Sequence, residues 1–135
     1  MKLIGRKQMA FLDMDLTEQV KGHTLYKIQE TVHLSALAYR LKDLEREIGR
    51  QGYGIDVGLK ALFLQFFYDL SDRQLEERLR YDLGFKWFCG FTAFEKTPDH
   101  SYFGRFRERV GTKRIGKIFK AIVNKAKEKH LVRGV

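Results

Sequence analysis

The 135-residue sequence contains one cysteine and one proline, and it lacks long apolar segments. One cysteine excludes an internal disulfide and a zinc site built from several cysteines. The scarcity of proline and the lack of low-complexity stretches indicate a folded chain rather than a linker. No apolar run approaches the roughly 20 residues of a membrane-spanning helix, and charges interrupt residues 1–20, unlike in a secretory signal. We therefore expect a cytoplasmic, bacterial protein that does not contact a membrane.

The charges are unevenly distributed along the chain. Residues 96–135 carry twelve Lys or Arg and three acidic residues, so this segment holds the whole formal net charge of +9. Residues 1–95 carry fourteen charges of each sign. Phenylalanine and isoleucine recur at helical spacing within the basic segment, which predicts a folded helical unit with one basic face. Such a face is typical of proteins that bind polyphosphates, most often nucleic acids.

The N-terminal part of the sequence predicts an extended arm over residues 1–22 and a long helix over residues 25–48. Two heptads of apolar residues are too short for a strong coiled coil, so packing on the same domain is favoured and a dimer seam is the alternative. We place a boundary after this helix, with residues 1–50 forming the arm and helix and residues 51–135 a helical DNA-binding domain. The apolar stripe comprises Leu34, Leu37, Leu41, Leu44 and Ile48.

Residues 56–90 predict three consecutive helices. Asp56 is placed to cap the first, which is apolar nearly all round to residue 69 and is therefore expected to be central and buried. Ser71 and Gln74 form a capping-box pattern that begins the second helix, and Gly84 is expected to end it. A short apolar helix follows over residues 85–90. The inner stripe of the second helix comprises Leu75, Leu79 and Leu83.

Two further helices follow a predicted loop over residues 91–98. Asp99 is placed to cap a helix that runs to residue 110, where Gly111 stops it. Thr112 is expected to cap a final basic helix to about residue 130. Since no strand pattern is found, the predicted fold class is all-α: a compact helical domain with a helix-turn-helix-like core, preceded by the long helix.

The last two predicted helices carry the candidate functional residues. In the 99–110 helix, Arg105 can bind a guanine edge with two hydrogen bonds, and Glu108 can accept one from cytosine. The lysines of the final helix lie opposite its apolar side, where they suit phosphates. A charged face that merely keeps a helix soluble is the alternative, but such a face usually mixes both signs. The predicted DNA-binding residues are Ser101, Arg105, Arg107, Glu108, Arg109, Lys113, Arg114, Lys117, Lys120, Asn124 and Lys127.

The arrangement of helices predicts how DNA would be read. A helix over residues 71–83, a short helix, a loop and the helix over residues 99–110 have the order of a helix-turn-helix, with the last helix in the major groove. The loop of about eight residues is longer than the usual turn. Acidic side chains near residues 69–77 lie beside arginines, so surface ion pairing is the expected role rather than catalysis. No histidine has a partner at metal-ligand spacing, and no metal or other cofactor is expected.

Three short motifs lie between residues 62 and 107: LFLQFFYDLSDRQLEE at 62–77, FKWFCG at 85–90, and TPDHS at 97–101 followed by RFR at 105–107. Residues 68–73 and the PDHS turn are the most specific parts. This pattern resembles the N-terminal domain of bacterial insertion-sequence transposases of the DDE type. The resemblance covers the middle half of the chain well, and it extends to the basic final helix.

The resemblance implies a domain that binds double-stranded DNA at the terminal repeats of a mobile element, in the bacterial nucleoid. In such transposases a separate RNase-H-like domain holds the catalytic Asp, Asp and Glu with two divalent metals. The sequence stops at residues 131–135, about where that domain would begin, so we expect no catalytic residue and no enzyme activity from this chain alone. Two alternatives stay open: a free-standing regulator or inhibitor that pairs with itself or with full-length transposase, and a helical protein-interaction module.

Overall fold

The computed structural model describes residues 22–32, 34–44 and 53–128, and every regular element in these ranges is helical. The predicted all-α fold class is confirmed. The predicted arm lies outside the described residues apart from Gly22. The C-terminal ends of the predicted long helix and of the predicted final helix lie outside them too. The elements are α1 (Thr24–Val32), α2 (Leu34–Ala38), a 3-10 helix (Tyr39–Leu44), α3 (Ile55–Tyr68), α4 (Asp72–Tyr81), α5 (Leu83–Cys89), α6 (His100–Val110) and α7 (Thr112–Glu128).

Helix α3 lies at the centre of the described fold, in contact with α2, α4, α5 and α6. Its first ten residues are almost all buried, as its apolar composition predicts. The expectation of a buried helix is wrong at its C-terminal end, where Phe66 is 60% exposed and Phe67 is 38% exposed. Apolar composition does not reveal this difference, because it depends on which neighbouring helices reach the end of α3.

The N-terminal helical segment is not one regular helix within the described residues. Its first part is α-helical in α1 and α2, but Tyr39–Leu44 winds as a 3-10 helix. A 3-10 helix has three residues per turn, so it places residues 41 and 44 on the same side. Leu41 is 1% exposed, and Leu44 packs against the same core. The leucine stripe therefore packs on the domain core over residues 34–44, while Ile48 lies outside the described residues.

The first predicted cap is wrong and the second is confirmed. Gly54 occupies the N-cap of α3 without a side-chain hydrogen bond, and Asp56 lies in the first turn. The helix starts at the buried Ile55, and the Asp56 carboxylate in its first turn suits the positive end of the helix dipole. At α4, Gln74 N donates to Ser71 Oγ at 3.1 Å and Ser71 N donates to Gln74 Oε1 at 2.9 Å, completing the capping box.

The predicted end of α4 at Gly84 is wrong. Helix α4 ends at Tyr81, and Asp82 has an extended backbone conformation between α4 and α5. The Asp82 side chain accepts a hydrogen bond from Phe85 N at 3.0 Å, so it begins a new helix in which Gly84 is buried. Leu83 consequently leaves the inner stripe of α4 and is 42% exposed. Helix α4 therefore ends three residues before the glycine, because Asp82 begins the next helix.

Two features fix the position of α6. A Cβ atom on Gly58 of α3 would overlap the ring of Phe106, so the glycine lets α6 approach the backbone of α3. The loop before α6 is anchored by fully buried Pro98 and by the buried Lys86, whose Nζ donates to the Ala93 carbonyl at 2.9 Å.

None of the described helices has the length and apolar character needed to cross a membrane.

Candidate nucleic-acid interface

Helix α6 has one buried face and one exposed face. Asp99 caps its N-terminus, where Asp99 Oδ1 accepts from Tyr102 N at 3.0 Å, and Gly111, whose positive φ of 88° suits glycine, caps its C-terminus. Both predicted ends are confirmed. The buried face comprises Tyr102, Phe103, Phe106 and Val110, and the exposed face comprises Ser101, Arg105 and Glu108. The structure therefore brings together on one outer surface the three residues predicted to contact bases; we call them the reading face.

A short hydrogen-bonded chain runs along the reading face. Ser101 Oγ donates to Asp99 Oδ1 at 2.7 Å, and Arg105 Nη1 donates to Ser101 Oγ at 3.3 Å. The hydrogen bond from Ser101 is the main reason why the pKa of Asp99 lies below its usual value. The long hydrogen bond to Ser101 thus directs the exposed Arg105 guanidinium toward the N-terminal end of α6. This places it where a reading helix presents its side chains to base edges.

Arg107 lies at the edge of α6 and is bound within the domain. Its Nη1 and Nη2 each donate to a carboxylate oxygen of Asp72 in α4 at 2.8 Å. Gln65 of α3 completes the cluster: its Oε1 accepts from Arg107 at 2.9 Å, and its Nε2 donates to Asp72 at 2.6 Å. These bonds connect three helices at the C-terminal half of α6.

A second contact holds the other end of α6 against α4. Glu76 Oε1 accepts from His100 N at 2.7 Å and lies 3.1 Å from His100 Nδ1. Arg80 Nη2 lies 3.8 Å from Glu76 Oε2. The backbone hydrogen bond from His100 is the main cause of the lowered pKa of Glu76. Two carboxylates of α4 therefore hold α6 at both ends, and we call these contacts the α4–α6 clamps.

We expect Arg107→Ala to destabilise the fold by about 1–3 kcal/mol at neutral pH, because it leaves the Asp72 carboxylate without its bidentate partner. The Arg107 hydrogen bonds hold the pKa of Asp72 below its usual value, so the pair stabilises the fold above the ordinary aspartate pKa of about 3.9. Its contribution is lost as pH falls through the lowered pKa. Urea unfolding of both proteins should show a difference at about pH 6–7 that shrinks below about pH 4.

Arg105→Ala is the matched control for this measurement, since it removes the same side chain from the exposed face of the same helix. It should change the free energy of unfolding by less than about 0.5 kcal/mol. If Arg107→Ala left unfolding unchanged and instead reduced the salt dependence of DNA binding by about one unit, Arg107 would be a phosphate contact as the sequence predicts.

The final helix carries an exposed cationic stripe. Ile118 and Ile122 of α7 are buried, and Ile115 and Phe119 are partly buried. Helix α7 begins at Thr112, so this threonine is a helical residue rather than the predicted cap. The opposite side is exposed from residue 113 to residue 127, which is about four turns of the helix. We call this side the basic stripe; it comprises Lys113, Lys117, Lys120, Asn124 and Lys127.

Two of the other predicted site residues lie beside these surfaces. Arg109 is exposed on the flank of α6. Arg114 is directed away from the basic stripe, toward the 3-10 helix, where its Nη1 and Nη2 donate to the carboxylate of Asp43 at 3.1 and 2.7 Å. Both side chains of this ion pair are about half exposed, so it adds little stability. The structure thus separates Arg107 and Arg114, which have carboxylate partners, from the basic stripe.

Sequence reasoning missed the partners of these arginines, because Asp72 and Asp43 are distant in the sequence. Of the acidic residues near α4, Asp72 and Glu76 form ion pairs, as predicted, although Asp72 pairs with Arg107 of α6 rather than with a neighbouring arginine of α4. In the ranges 22–32, 34–44 and 53–128, no three His, Cys, Asp or Glu side chains form a group suited to a metal ion.

Comparison with known proteins gives one family match. The family model described as "Transposase domain (DUF772)" matches residues 13–109, which is well over half of the chain. The match includes α1 to α5 and nearly all of α6, with the residues of both α4–α6 clamps. Searches of curated proteins and of solved structures give no match.

Proposed function

Because the chain belongs to the DUF772 transposase-domain family, we propose that it is the DNA-binding domain of a DDE-type insertion-sequence transposase and recognises the terminal repeats of the element. The observation that carries the proposal is the pairing of an exposed polar face on α6 with the basic stripe on α7. One surface offers side chains that can distinguish bases, and the other offers cations for phosphates. Together they provide both kinds of contact that specific DNA binding needs.

In this proposal α4, α5 and α6 act as a helix-turn-helix variant, and α6 enters the major groove. Arg105 would donate to the O6 and N7 atoms of guanine, and Glu108 would accept from a cytosine amino group. The hydrogen bond from Arg105 to Ser101 is long at 3.3 Å, so a base can replace it at little cost. The α4–α6 clamps would hold the helix at a fixed angle while its side chains adjust.

The basic stripe would bind the phosphates beside the groove. Its four lysines are exposed and lie on one side of α7, and lysine contacts phosphate as a mobile point charge without selecting a base. Arg107 has a different role in this proposal: it donates to the Asp72 carboxylate of α4 and so orients α6. Arg114 forms an exposed ion pair with Asp43 that directs it away from the basic stripe and adds little stability. Arg109 is exposed on the flank of α6, and in this proposal it contacts DNA there.

We assign recognition rather than catalysis to the described residues. Two-metal phosphoryl transfer requires carboxylates that are available to the ions. Asp72 and Glu76, the acidic residues of α4 that contact α6, instead accept hydrogen bonds from Arg107 and His100. Their chemistry therefore suits the fixing of a helix, and in this proposal the catalytic carboxylates belong to a separate domain.

Arg105→Ala should weaken binding to the preferred DNA site by about 1–3 kcal/mol and binding to random DNA by much less, because it removes a base contact. Selection from random oligonucleotides with the unaltered chain supplies the preferred site, and titration on both DNAs supplies the two affinities. Lys120→Ala is the control: it should weaken binding to both DNAs equally, as loss of a phosphate contact does. Equal losses for Arg105→Ala on the two DNAs would exclude α6 as the reading helix.

A further inference from the structure

The C-terminal end of α3 exposes aromatic rings beside the basic helix. Phe66 is 60% exposed and Phe67 is 38% exposed, although the preceding residues of α3 form the core. The Phe66 ring lies 5.3 Å from the ring of Phe119 in α7, at an interplanar angle of 52°. We call Phe66, Phe67 and Phe119 the aromatic edge. It continues from α3 onto the helix that carries the basic stripe.

The surface between the aromatic edge and the basic stripe is open. Gly116 and Val123 lie one turn on either side of Phe119, and on a helix of 3.6 residues per turn they separate its ring from Lys120 and Lys127. Gly116 is exposed, and a Cβ atom placed on it would meet no other atom within 4 Å. A planar group resting on Phe66 could therefore extend toward the lysines.

The exposed rings are also held in place by the core. Phe67 stacks on the buried Phe63 with ring centroids 5.6 Å apart and an interplanar angle of 18°. Phe66 rests on the partly buried Phe119. Rings that are already fixed lose little conformational freedom when a planar ligand stacks on them, so this arrangement suits stacking.

We propose that the aromatic edge stacks unpaired bases of a DNA strand whose phosphates lie along the basic stripe. The inference rests on the proposed DNA-binding function and adds a class of ligand to it. Aromatic rings beside cations are the usual components of surfaces that bind single strands, because every base offers a π face and every nucleotide a phosphate. Bases within a duplex already stack on each other and do not present their faces, so the ligand is an unpaired segment.

Charge favours a polyanion over a second copy of this chain. In a symmetric dimer through the aromatic edge, the aromatic edges of the two protomers would face each other. The two basic stripes would then lie close together. The lysines of the two copies would then repel each other, with few acids nearby on α7 to compensate. A DNA strand supplies the opposite charge together with the planar groups.

The proposal is tested with the full chain and fluorescently labelled DNA. Binding to oligothymidine of about 15 nucleotides is compared by anisotropy with binding to a duplex of the same length. Phe66→Ala should weaken single-strand binding by about 5- to 100-fold and leave duplex binding unchanged. Phe66→Trp, which enlarges the π face, should retain or strengthen single-strand binding. Tyr81→Ala removes a 72% exposed ring outside the aromatic edge and should change neither affinity.

The outcomes distinguish this inference from the proposed function. If the chain binds the duplex with strong salt dependence but Phe66→Ala leaves single-strand binding unchanged, the aromatic edge does not stack bases, while the proposed function stands. If the chain binds neither DNA, both fail. In a third outcome, the unaltered chain sediments as a dimer and the Phe66→Ala variant as a monomer, with the same DNA affinities. The aromatic edge would then bind a second copy of the chain, and the proposal would be wrong.

Discussion

Replacing Lys113, Lys117 and Lys120 together by alanine should reduce the salt dependence of DNA binding by more than half. If the unaltered chain neutralises roughly four to six phosphates, the logarithm of its association constant should fall with the logarithm of salt concentration at a slope of about −4 to −5. Each lysine that contacts a phosphate contributes close to one unit of this slope. The triple variant should therefore have a slope closer to zero by up to about 3 units.

The same change should lower affinity similarly on every sequence, because phosphates are present in all of them. For the unaltered chain, a slope of −4 to −5 corresponds to a loss of affinity of about 250- to 1000-fold between about 50 and 200 mM salt. This range is wide enough to measure by anisotropy on one DNA of arbitrary sequence. Thermal melting of the triple variant should match the unaltered chain, since all three lysines are exposed.

A second triple variant separates the basic stripe from net charge alone. Arg40, Lys42 and Arg73 are exposed cations on other elements, and their replacement by alanine removes the same formal charge. Exposed charges act weakly beyond about one Debye length, so this control should change the slope by less than about one unit. Equal effects of the two triple variants would mean that DNA responds to overall charge, and a flat slope for the unaltered chain would exclude nucleic-acid binding.

The sequence predicts those features of the fold that local interactions determine. Asp99 begins α6 and Gly111 ends it, because a side-chain cap and a positive φ each depend on a few adjacent residues. The capping box at Ser71 and the exposure of Ser101, Arg105 and Glu108 are confirmed for the same reason. Gly84 shows the limit of such patterns, since a glycine that resembles a helix end lies within α5 once Asp82 has capped that helix.

Features that depend on distant contacts could not be predicted from the sequence. Arg107 and Arg114 resemble the neighbouring lysines in sequence, but a carboxylate 35 or 71 residues away binds each of them. Likewise Phe66 and Phe63 are equally apolar, but Phe63 is buried and stacks on Phe88 of α5, whereas Phe66 is 60% exposed. The proposed interface is therefore smaller than the predicted set of basic residues, and it borders an aromatic surface that the sequence pattern did not indicate.

The second large effect is expected from Leu37→Ala combined with Leu41→Ala. Leu41 is 1% exposed, and Leu37 is also buried, in a segment that contacts α3 and α6. Truncation of a buried leucine costs about 2–5 kcal/mol, so the pair should lower the free energy of unfolding by about 4–10 kcal/mol. Small domains have about 5–15 kcal/mol in total. We therefore expect the double variant to be largely unfolded near room temperature, which circular dichroism measures directly.

The single variant Leu41→Ala keeps the test quantitative if the double variant does not fold, and Leu83→Ala is the control. Leu83 is 42% exposed, so its truncation should cost less than about 1 kcal/mol.

The alternative, a dimer seam, predicts a different pattern: a double variant that stays folded, sediments as a monomer, and loses DNA affinity because two linked sites become one. Buried leucines that contact α3 in the same chain favour the core, because residues that already pack within one protomer have little surface left for a partner. A folded monomer derived from a dimeric parent would reverse this interpretation and favour the inhibitor alternative, since a seam shared with full-length transposase would let this chain form inactive mixed dimers.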